Sequence, residues 1–245
     1  MIQYRKTLYA NYHTTQSGRA SLTDAHALFN REKRQFAREV IPSLQCSKTA
    51  TIFDMGCGSG SLLKALQEAG FTQATGMDIS EEQVNMAADM GVANVVLGDA
   101  LEHVKTANQA YDVVLGMDII EHFTKDELLE LLQGIQRALK PGGMVMFRTP
   151  NLDAPMSTVF ANGDFTHENY LNASSAKQVM LACGFDVVDV KPSVMFIENP
   201  LKELIRKGMW TILKFKLKLQ LFATARSSRD IVFTPNLLIL AQKNR

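Results

Sequence analysis

The chain has 245 residues, 46% of them apolar, and 26 Lys and Arg against 25 Asp and Glu give it a formal net charge of +1. That length suits one α/β domain with an N-terminal extension and one insertion, and the apolar share is ample for a sizeable core. No apolar run reaches the roughly 18 residues that span a bilayer, and Met1 to Gly18 is too polar for a secretory signal, so a cytoplasmic protein is expected.

Ala27 to Val40 has a charged, helical pattern that ends before Pro42. Ala50 to Phe53 reads as a strand, Asp54 to Gly60 as a glycine-rich turn and Ser61 to Ala69 as a helix. Strand and helix then alternate: Ala74 to Ile79, Glu81 to Met90, Asn94 to Gly98 and Tyr111 to Met117 come first. Thr124-x-x-Glu127 is a capping box that starts a helix over Lys125 to Leu139, which Lys140-Pro141-Gly142-Gly143 stops. Gly143 to Arg148 is a strand, Ser174 to Cys183 a helix and Phe185 to Val190 a strand. Such alternation specifies an α/β fold with right-handed crossovers and a mostly parallel sheet covered by helices on both faces.

Gly56, Gly58 and Gly60 free the turn to take φ > 0 and to pass close beneath a polar ligand. Asp78, Asp99 and Asp118 close three successive strands on the edge where open α/β sheets bind ligands, and a carboxylate there can accept hydrogen bonds from a ribose diol. Any one of them could be a helix N-cap; three in register after the glycine turn point to a nucleoside-like ligand. The glycine spacing is Gly-x-Gly-x-Gly, not the Gly-x-Gly-x-x-Gly of dinucleotide sites, and no Gly-Lys-Ser/Thr follows it. Cys46, Cys57 and Cys183 lack metal-ligand spacing and read as reduced thiols, Cys57 as a small residue filling space in the turn.

The motifs Asp54 to Gly60, Gly76-Met77-Asp78-Ile79-Ser80, Gly98-Asp99-Ala100 and Leu139-Lys140-Pro141-Gly142-Gly143 together resemble the class I S-adenosylmethionine-dependent methyltransferases. The resemblance implies a Rossmann-like, seven-stranded sheet whose last strand, Ile231 to Gln242, enters antiparallel. It implies S-adenosylmethionine as cofactor and S-adenosylhomocysteine as product. Asp54 with Gly56, Cys57, Gly58 and Gly60 would hold the methionine end, Asp78 with Ile79 the ribose, and Asp99 with Ala100 the adenine, Met117 closing the fourth strand beside them. The segments Asp118 to Phe123, Arg148-Thr149-Pro150-Asn151, Gly163 to Glu168 and Phe233 to Leu238 resemble methyltransferases of bacterial surface-polysaccharide (O-antigen or capsule) biosynthesis. The implied organisation is a helical extension over 1–45, a cofactor-binding core over 46–192, a basic amphipathic insertion or cap over 193–230, and a last strand over 231–245.

Methyl transfer to a hydroxyl needs in-line alignment and a base, for which histidine is the natural residue. His167, oriented by Asp164 or Glu168, is the first candidate and His122 beside Glu121 the second; His26 and His103 have no supporting context and His13 only a weak family similarity. Either histidine could equally cap a helix or hold a loop. Asp164, His167 and Glu168 could hold a divalent cation, but their spacing does not demand one, and no metal is assigned. The fourth strand ends in Asp118-Ile119-Ile120-Glu121 without the Pro-Pro-Tyr of N-methylating enzymes, and no Pro-Cys nucleophile is present, which favours O-methylation. The expected acceptor is a sugar hydroxyl of a polysaccharide or its precursor. The alternatives are a quinone-type or other small-molecule O-methyltransferase, whose Glu-His after the fourth strand is similar, and a non-catalytic cofactor-binding or regulatory subunit.

Charge is unevenly spread. Residues 1–200 carry 16 Lys and Arg against 23 Asp and Glu, whereas 201–245 carry 10 against 2, net charges of −7 and +8 that sum to +1. The cations of 201–230 interleave with aliphatic and aromatic side chains, a composition that suits peripheral contact with an anionic membrane. A cover over the acceptor pocket or a contact within an oligomer is the competing reading, because Lys214 to Leu221 alternates with period two and lacks a clean helical face. Nucleic acid is not expected as a partner.

Overall fold

The structure, a computed structural model, describes residues 7–8 and 22–244. His13 and most of the first 21 residues lie outside the described residues. Seven strands, β1 (Ile52–Met55), β2 (Ala74–Asp78), β3 (Val95–Leu97), β4 (Tyr111–Met117), β5 (Leu139–Pro150), β6 (Phe185–Pro192) and β7 (Asn236–Lys243), form one sheet in the order β3-β2-β1-β4-β5-β7-β6. All pairings are parallel except those of β7, which runs antiparallel to both β5 and β6. The strand order reverses between β1 and β4, so the C-terminal ends of these two strands open the crevice where such sheets take ligands.

Successive strand residues face opposite layers. Phe53, Val114, Val145, Phe147 and Ile239 pack beneath α4 (Ala100–Thr106), α5 (Lys125–Ala138) and α7 (Ala173–Ala182). Ile52, Val113, Leu115, Met146 and Leu238 face the other layer, with α1 (Leu22–Glu39), α2 (Ser61–Glu68) and α3 (Glu81–Asp89). The Thr124–Glu127 capping box opens α5 as expected: Thr124 N–H donates to Glu127 Oε2 at 2.8 Å and Glu127 N–H to Thr124 Oγ1 at 3.3 Å.

Three boundaries differ from those expected. The helix of the 1–45 extension is not separate from the core: Phe29, Phe36 and Val40 are buried against Leu62 and Leu66, because an amphipathic helix needs a partner for its apolar stripe. The last strand begins at Asn236 and not at Ile231, since the carbonyls of Val232 and Thr234 accept from Asn151 Nδ2 and that of Pro235 from Asn151 N–H, which fixes this stretch without ladder bonds. Residues 200–223 form one 24-residue helix, α8 (Pro200–Ala223), opened by Asn199, whose side chain accepts from Lys202 N–H at 3.1 Å. The period-two alternation around Lys214 arises because α8 carries two apolar arcs separated by cations; Lys, Leu and Gln favour a helix there. A short helix absent from the sequence reading, α6 (Ser157–Ala161), follows β5.

Candidate active site

The turn after β1 is held in a form that needs glycine. At Gly56, φ is +61° and an added Cβ would lie 2.5 Å from Ile119 Cδ1. Gly58 has φ +53° with only Gln83 Oε1 near, at 3.8 Å, so its Cα faces open space. Its N–H donates to Asp78 Oδ2 at 2.8 Å, tying the turn to the end of β2. Gly60 does a different job: it has φ +78° at the start of α2, a Cβ there would meet Val92 Cγ1 at 2.8 Å, and it lies outside the cleft lining.

Two cavities of about 360 and 290 Å³ meet over this turn, sharing Gly56, Gly58, Gln83 and Asp118 in their walls, and together make one cleft along the C-terminal strand edge. Asp78, Ile79, Asp99 and Ala100 line the first half, and Asp54, Cys57 and Met117 the second. Each acid also has a structural task. Asp78 Oδ1 accepts from Ser80 N–H at 2.9 Å, and Asp99 Oδ1 caps α4 by accepting from Leu101 N–H at 2.9 Å and Glu102 N–H at 3.4 Å. Asp118, at φ +54°, pairs bidentately with Arg148, whose Nε donates to Oδ1 at 3.1 Å and to Oδ2 at 3.0 Å.

The second half holds groups that sequence reasoning missed. Arg148 also reaches Glu39 at 3.4 Å and lies 4.8 Å from the centre of the Phe36 ring. Glu39 is buried and accepts from Ser193 Oγ and, at 2.7 Å, from Val194 N–H. Burial alone would lower the Arg148 pKa, but the carboxylates of Asp118 and Glu39 outweigh it and push it up, so the guanidinium stays charged. The wall is completed by Glu32 on α1, whose carboxyl accepts from Ser61 Oγ at 3.1 Å. In sequence Arg148 was visible only within the Arg-Thr-Pro-Asn segment, and nothing local points from it to an acid on the first helix.

Asp54 is the most telling member. Among the described residues its Oδ2 is the buried side-chain oxygen without a hydrogen-bond partner, and burial, with the Asp78 charge adding to it, pushes its pKa well up. Cys57 packs against Gly76, where a Cβ would meet its Sγ at 2.8 Å, and burial pushes its thiol far up, so it fills space and is no nucleophile.

His122 and His167 stand together, ring centres 4.9 Å apart and nearly edge to face, with His167 beside His122 and outside the residues that line either half of the cleft. His122 lines the first half of the cleft beside Ile119 and Phe123. Its neighbour arrives through the backbone: N–H groups of Glu168 and Asn169 donate to the Glu121 carbonyl at 2.7 and 2.9 Å. Asp164, expected to orient His167, accepts from His167 N–H through its backbone carbonyl at 3.4 Å, while its carboxylate accepts from Thr166 Oγ1 at 2.6 Å, and Thr166 Oγ1 meets His122 Nδ1 at 2.8 Å. Since that hydroxyl proton points at Asp164, the oxygen accepts from His122 Nδ1–H, which puts the basic lone pair on Nε2. His167 Nδ1 meets the Ala161 carbonyl at 2.8 Å, so it too carries its proton on Nδ1. The Glu168 side chain is exposed and contributes its backbone N–H to this arrangement. Burial, reinforced by His167, lowers His122 to about 4.

Glu121, absent from the expected site set, is buried behind the pair; Thr149 Oγ1 donates to its Oε2 at 3.0 Å, and burial, with Asp118 adding, raises its pKa well above the usual range. Glu121, His122 and His167 can each offer one ligand atom, all within 4.8 Å of one another. This trio differs from the Asp164, His167 and Glu168 set considered from sequence.

A methyltransferase domain family matches residues 27–190. The chain belongs to that family. Among relatives, the ubiquinone biosynthesis O-methyltransferase of Hydrogenovibrio crunogenus is 30% identical over 152 residues, which cover 56% of this chain and 62% of that protein. The methyltransferase therefore matches under two thirds of that relative's length. Among solved structures, a SAM dependent methyltransferase from Archaeoglobus fulgidus has a TM-score of 0.62 at 21% identity, covering 95% of this chain and 98% of that one. Phosphoethanolamine N-methyltransferase 2 of Haemonchus contortus, in complex with S-adenosyl-L-methionine, has a TM-score of 0.64 at 19% identity, covering 97% and 60%. These two likenesses concern the fold. S-adenosylmethionine is the cofactor of such domains, and the cleft fits it: the partnerless Asp54 oxygen suits an ammonium group, and the space above Gly58 is what a side chain would have filled.

Proposed function

We propose that this methyltransferase transfers a methyl group from S-adenosylmethionine to a hydroxyl of a small quinol-type acceptor. The observation that carries the reading is the His122–His167 pair, in which His122 lines the cleft with His167 beside it and each imidazole is held with its proton on Nδ1. The cofactor supplies an electrophilic methyl carbon when bound. Asp54 would hold the ammonium of its methionine end, Asp78 the ribose diol through the lone pairs that Gly58 and Ser80 leave open, and Asp99 the adenine amino group. The cleft would hold an acceptor hydroxyl beside the cofactor's methyl group, and a histidine Nε2 would accept the hydroxyl proton. We assign that proton to His167, with His122 steering the pair, because His122 at about 4 is a weak acceptor near neutrality.

Two lines support a quinol over the sugar hydroxyl expected from motif resemblance: the relative named above is a ubiquinone biosynthesis enzyme, and apolar Ile119 and Phe123 flank His122. The test is turnover with a catechol-type quinol analogue beside nucleotide-sugar acceptors. Methylation of the quinol, lost by about 10²- to 10⁴-fold in His167→Asn with cofactor affinity intact, is expected. Methylation of only the sugars would restore the polysaccharide reading, and no turnover of any acceptor would favour the non-catalytic subunit.

A second reading has its own observation. The Glu121, His122 and His167 trio has the donor set of a divalent cation site with open positions, where a cation would lower the pKa of an acceptor hydroxyl. Turnover abolished by EDTA and restored by one divalent metal supports it; turnover indifferent to EDTA rejects it.

A further inference from the structure

We infer that α8 is an interfacial helix that docks the protein flat on an anionic lipid surface. The helix has no buried residue, and none of its residues lines the cleft, which leaves the expected pocket-cap role without contacts. Its two apolar arcs are unlike. Trp210, Leu217 and Leu221 are half-buried along one side. On the opposite side Leu201, Ile205, Ile212, Phe215, Leu219 and Phe222 recur at helical intervals, with Gly208 completing the series, and each is between 53% and 80% exposed. Isolated apolar side chains on a surface need no explanation, but a continuous stripe along 24 residues does.

Charge chooses the occupant. The stripe is bordered by Lys202 and Lys216 on one edge and Lys218 on the other, all exposed. Among the residues of α8 six are cationic and one, Glu203, is acidic. Glu203 is already engaged with Arg206 at 2.7 Å and Lys207 at 3.7 Å, on the side away from the stripe. A second copy of this helix would set the same lysines against one another at the flanking positions of a coiled coil, a repulsive arrangement. An anionic bilayer surface satisfies both features, taking the apolar stripe into the headgroup boundary and pairing the flanking lysines with lipid phosphates. Among the described residues no helix is long and apolar enough to cross a membrane, so the helix lies in the plane.

The inference is independent of the acceptor. Its test is flotation of the full chain with vesicles of phosphatidylcholine alone or mixed with phosphatidylglycerol, with thermal melts as the folding control and light scattering for oligomeric state. Binding to the mixed vesicles, weakened by salt, is expected. Phe215→Glu with Phe222→Glu should abolish it, and Lys202→Gln, Lys216→Gln and Lys218→Gln together should weaken it about a hundredfold, at unchanged melting temperature. Absence of binding to the mixed vesicles, or variants that bind as the parent does, overturns the inference. So does a dimer that the double glutamate variant dissociates while vesicles capture neither protein; the stripe would then belong to a second copy.

Discussion

The two halves of the cleft use acids in opposite ways. In the half lined by Asp78 and Asp99, each carboxylate is already satisfied by backbone N–H groups, and those bonds fix the turn and the start of α4 whether or not a ligand is present. In the half lined by Asp54, Asp118 and Arg148, one carboxylate oxygen has no partner and one guanidinium is shared between two acids drawn from distant parts of the chain. The first half is complete before the cofactor arrives; the second is stabilised by ion pairing and leaves one carboxyl oxygen to be matched. Affinity and fold stability should therefore separate differently at the two ends.

Arg148→Ala should have the largest effect. It leaves Glu39, whose side chain is 0% exposed, as a buried carboxylate facing the neutral donors of Ser193, Val194 and Gln35, at a cost of about 3–5 kcal/mol in a urea denaturation series. Asp118 adds less, since its side chain is 40% exposed and water screens it. A double variant, Arg148→Met with Glu39→Gln, should recover part of the loss because both charges go together. Equal losses in the single and double variants would mean that packing against Phe36, and not the ion pair, joins α1 to β5.

Asp54→Asn comes next, and its two readouts should move in opposite directions. Loss of the carboxylate should weaken cofactor binding by about 2 kcal/mol, roughly thirtyfold by calorimetry. The ligand-free protein should become more stable than the parent as pH rises. The sign follows from the raised pKa: the folded parent holds a proton on Asp54 that the unfolded chain has released above its usual range, so the parent loses stability as pH climbs through the folded value. The asparagine variant has no such loss, and the two should converge below the ordinary carboxylate range. A parent that gains stability relative to the variant on the same climb would show that Asp54 already has a cationic partner.

The same contrast explains what could be read in advance. The first half is written locally: Gly56-Cys57-Gly58 and the strand-ending Asp78 and Asp99 lie next to the backbone groups they serve, so spacing alone identified them. Six of the strands were legible for the same reason, because each alternates or runs apolar within its own few residues; the last came from family resemblance and starts at Asn236, later than the Ile231 so implied. The Arg148–Glu39 contact was not, since nothing near either residue signals a partner on another element. The histidine pair lies between these cases. Both residues were visible, but the link from Asp164 through Thr166 to His122 was not, because that relay is fixed by tertiary geometry. In α8 a short window suggested a strand-like alternation, and only the full helix separates the exposed stripe from the half-buried arc.

Within the glycine turn, Gly56→Ala and Gly58→Ala should differ by mechanism. Both force a left-handed φ on alanine, which costs about 1 kcal/mol. At Gly56 the new Cβ also strikes Ile119, adding about 1–3 kcal/mol of overpacking, so this variant should melt lower than Gly58→Ala. At Gly58 the space above is the ligand's, so cofactor affinity should fall further than stability does. Equal melting temperatures would show that Ile119 yields at no cost.

The smallest stability effect belongs to Asp99, and it tests whether the two oxygens of one carboxylate have separate tasks. Oδ1 accepts from Leu101 and Glu102 as the cap of α4, so Asp99→Ala should cost about 1 kcal/mol. Asparagine caps a helix about as well as aspartate, so Asp99→Asn should leave the melt unchanged. Only the amide oxygen can accept the cap bonds, however, and it must occupy the Oδ1 position. The NH₂ group then takes the place of Oδ2 and turns a donor toward the adenine amino group, itself a donor. Cofactor affinity should therefore drop in the asparagine variant at least as far as in the alanine variant, with stability preserved only in the former. If Asp99→Asn binds the cofactor as the parent does, Oδ2 does not meet the adenine, and the acid that ends β3 is a helix cap alone.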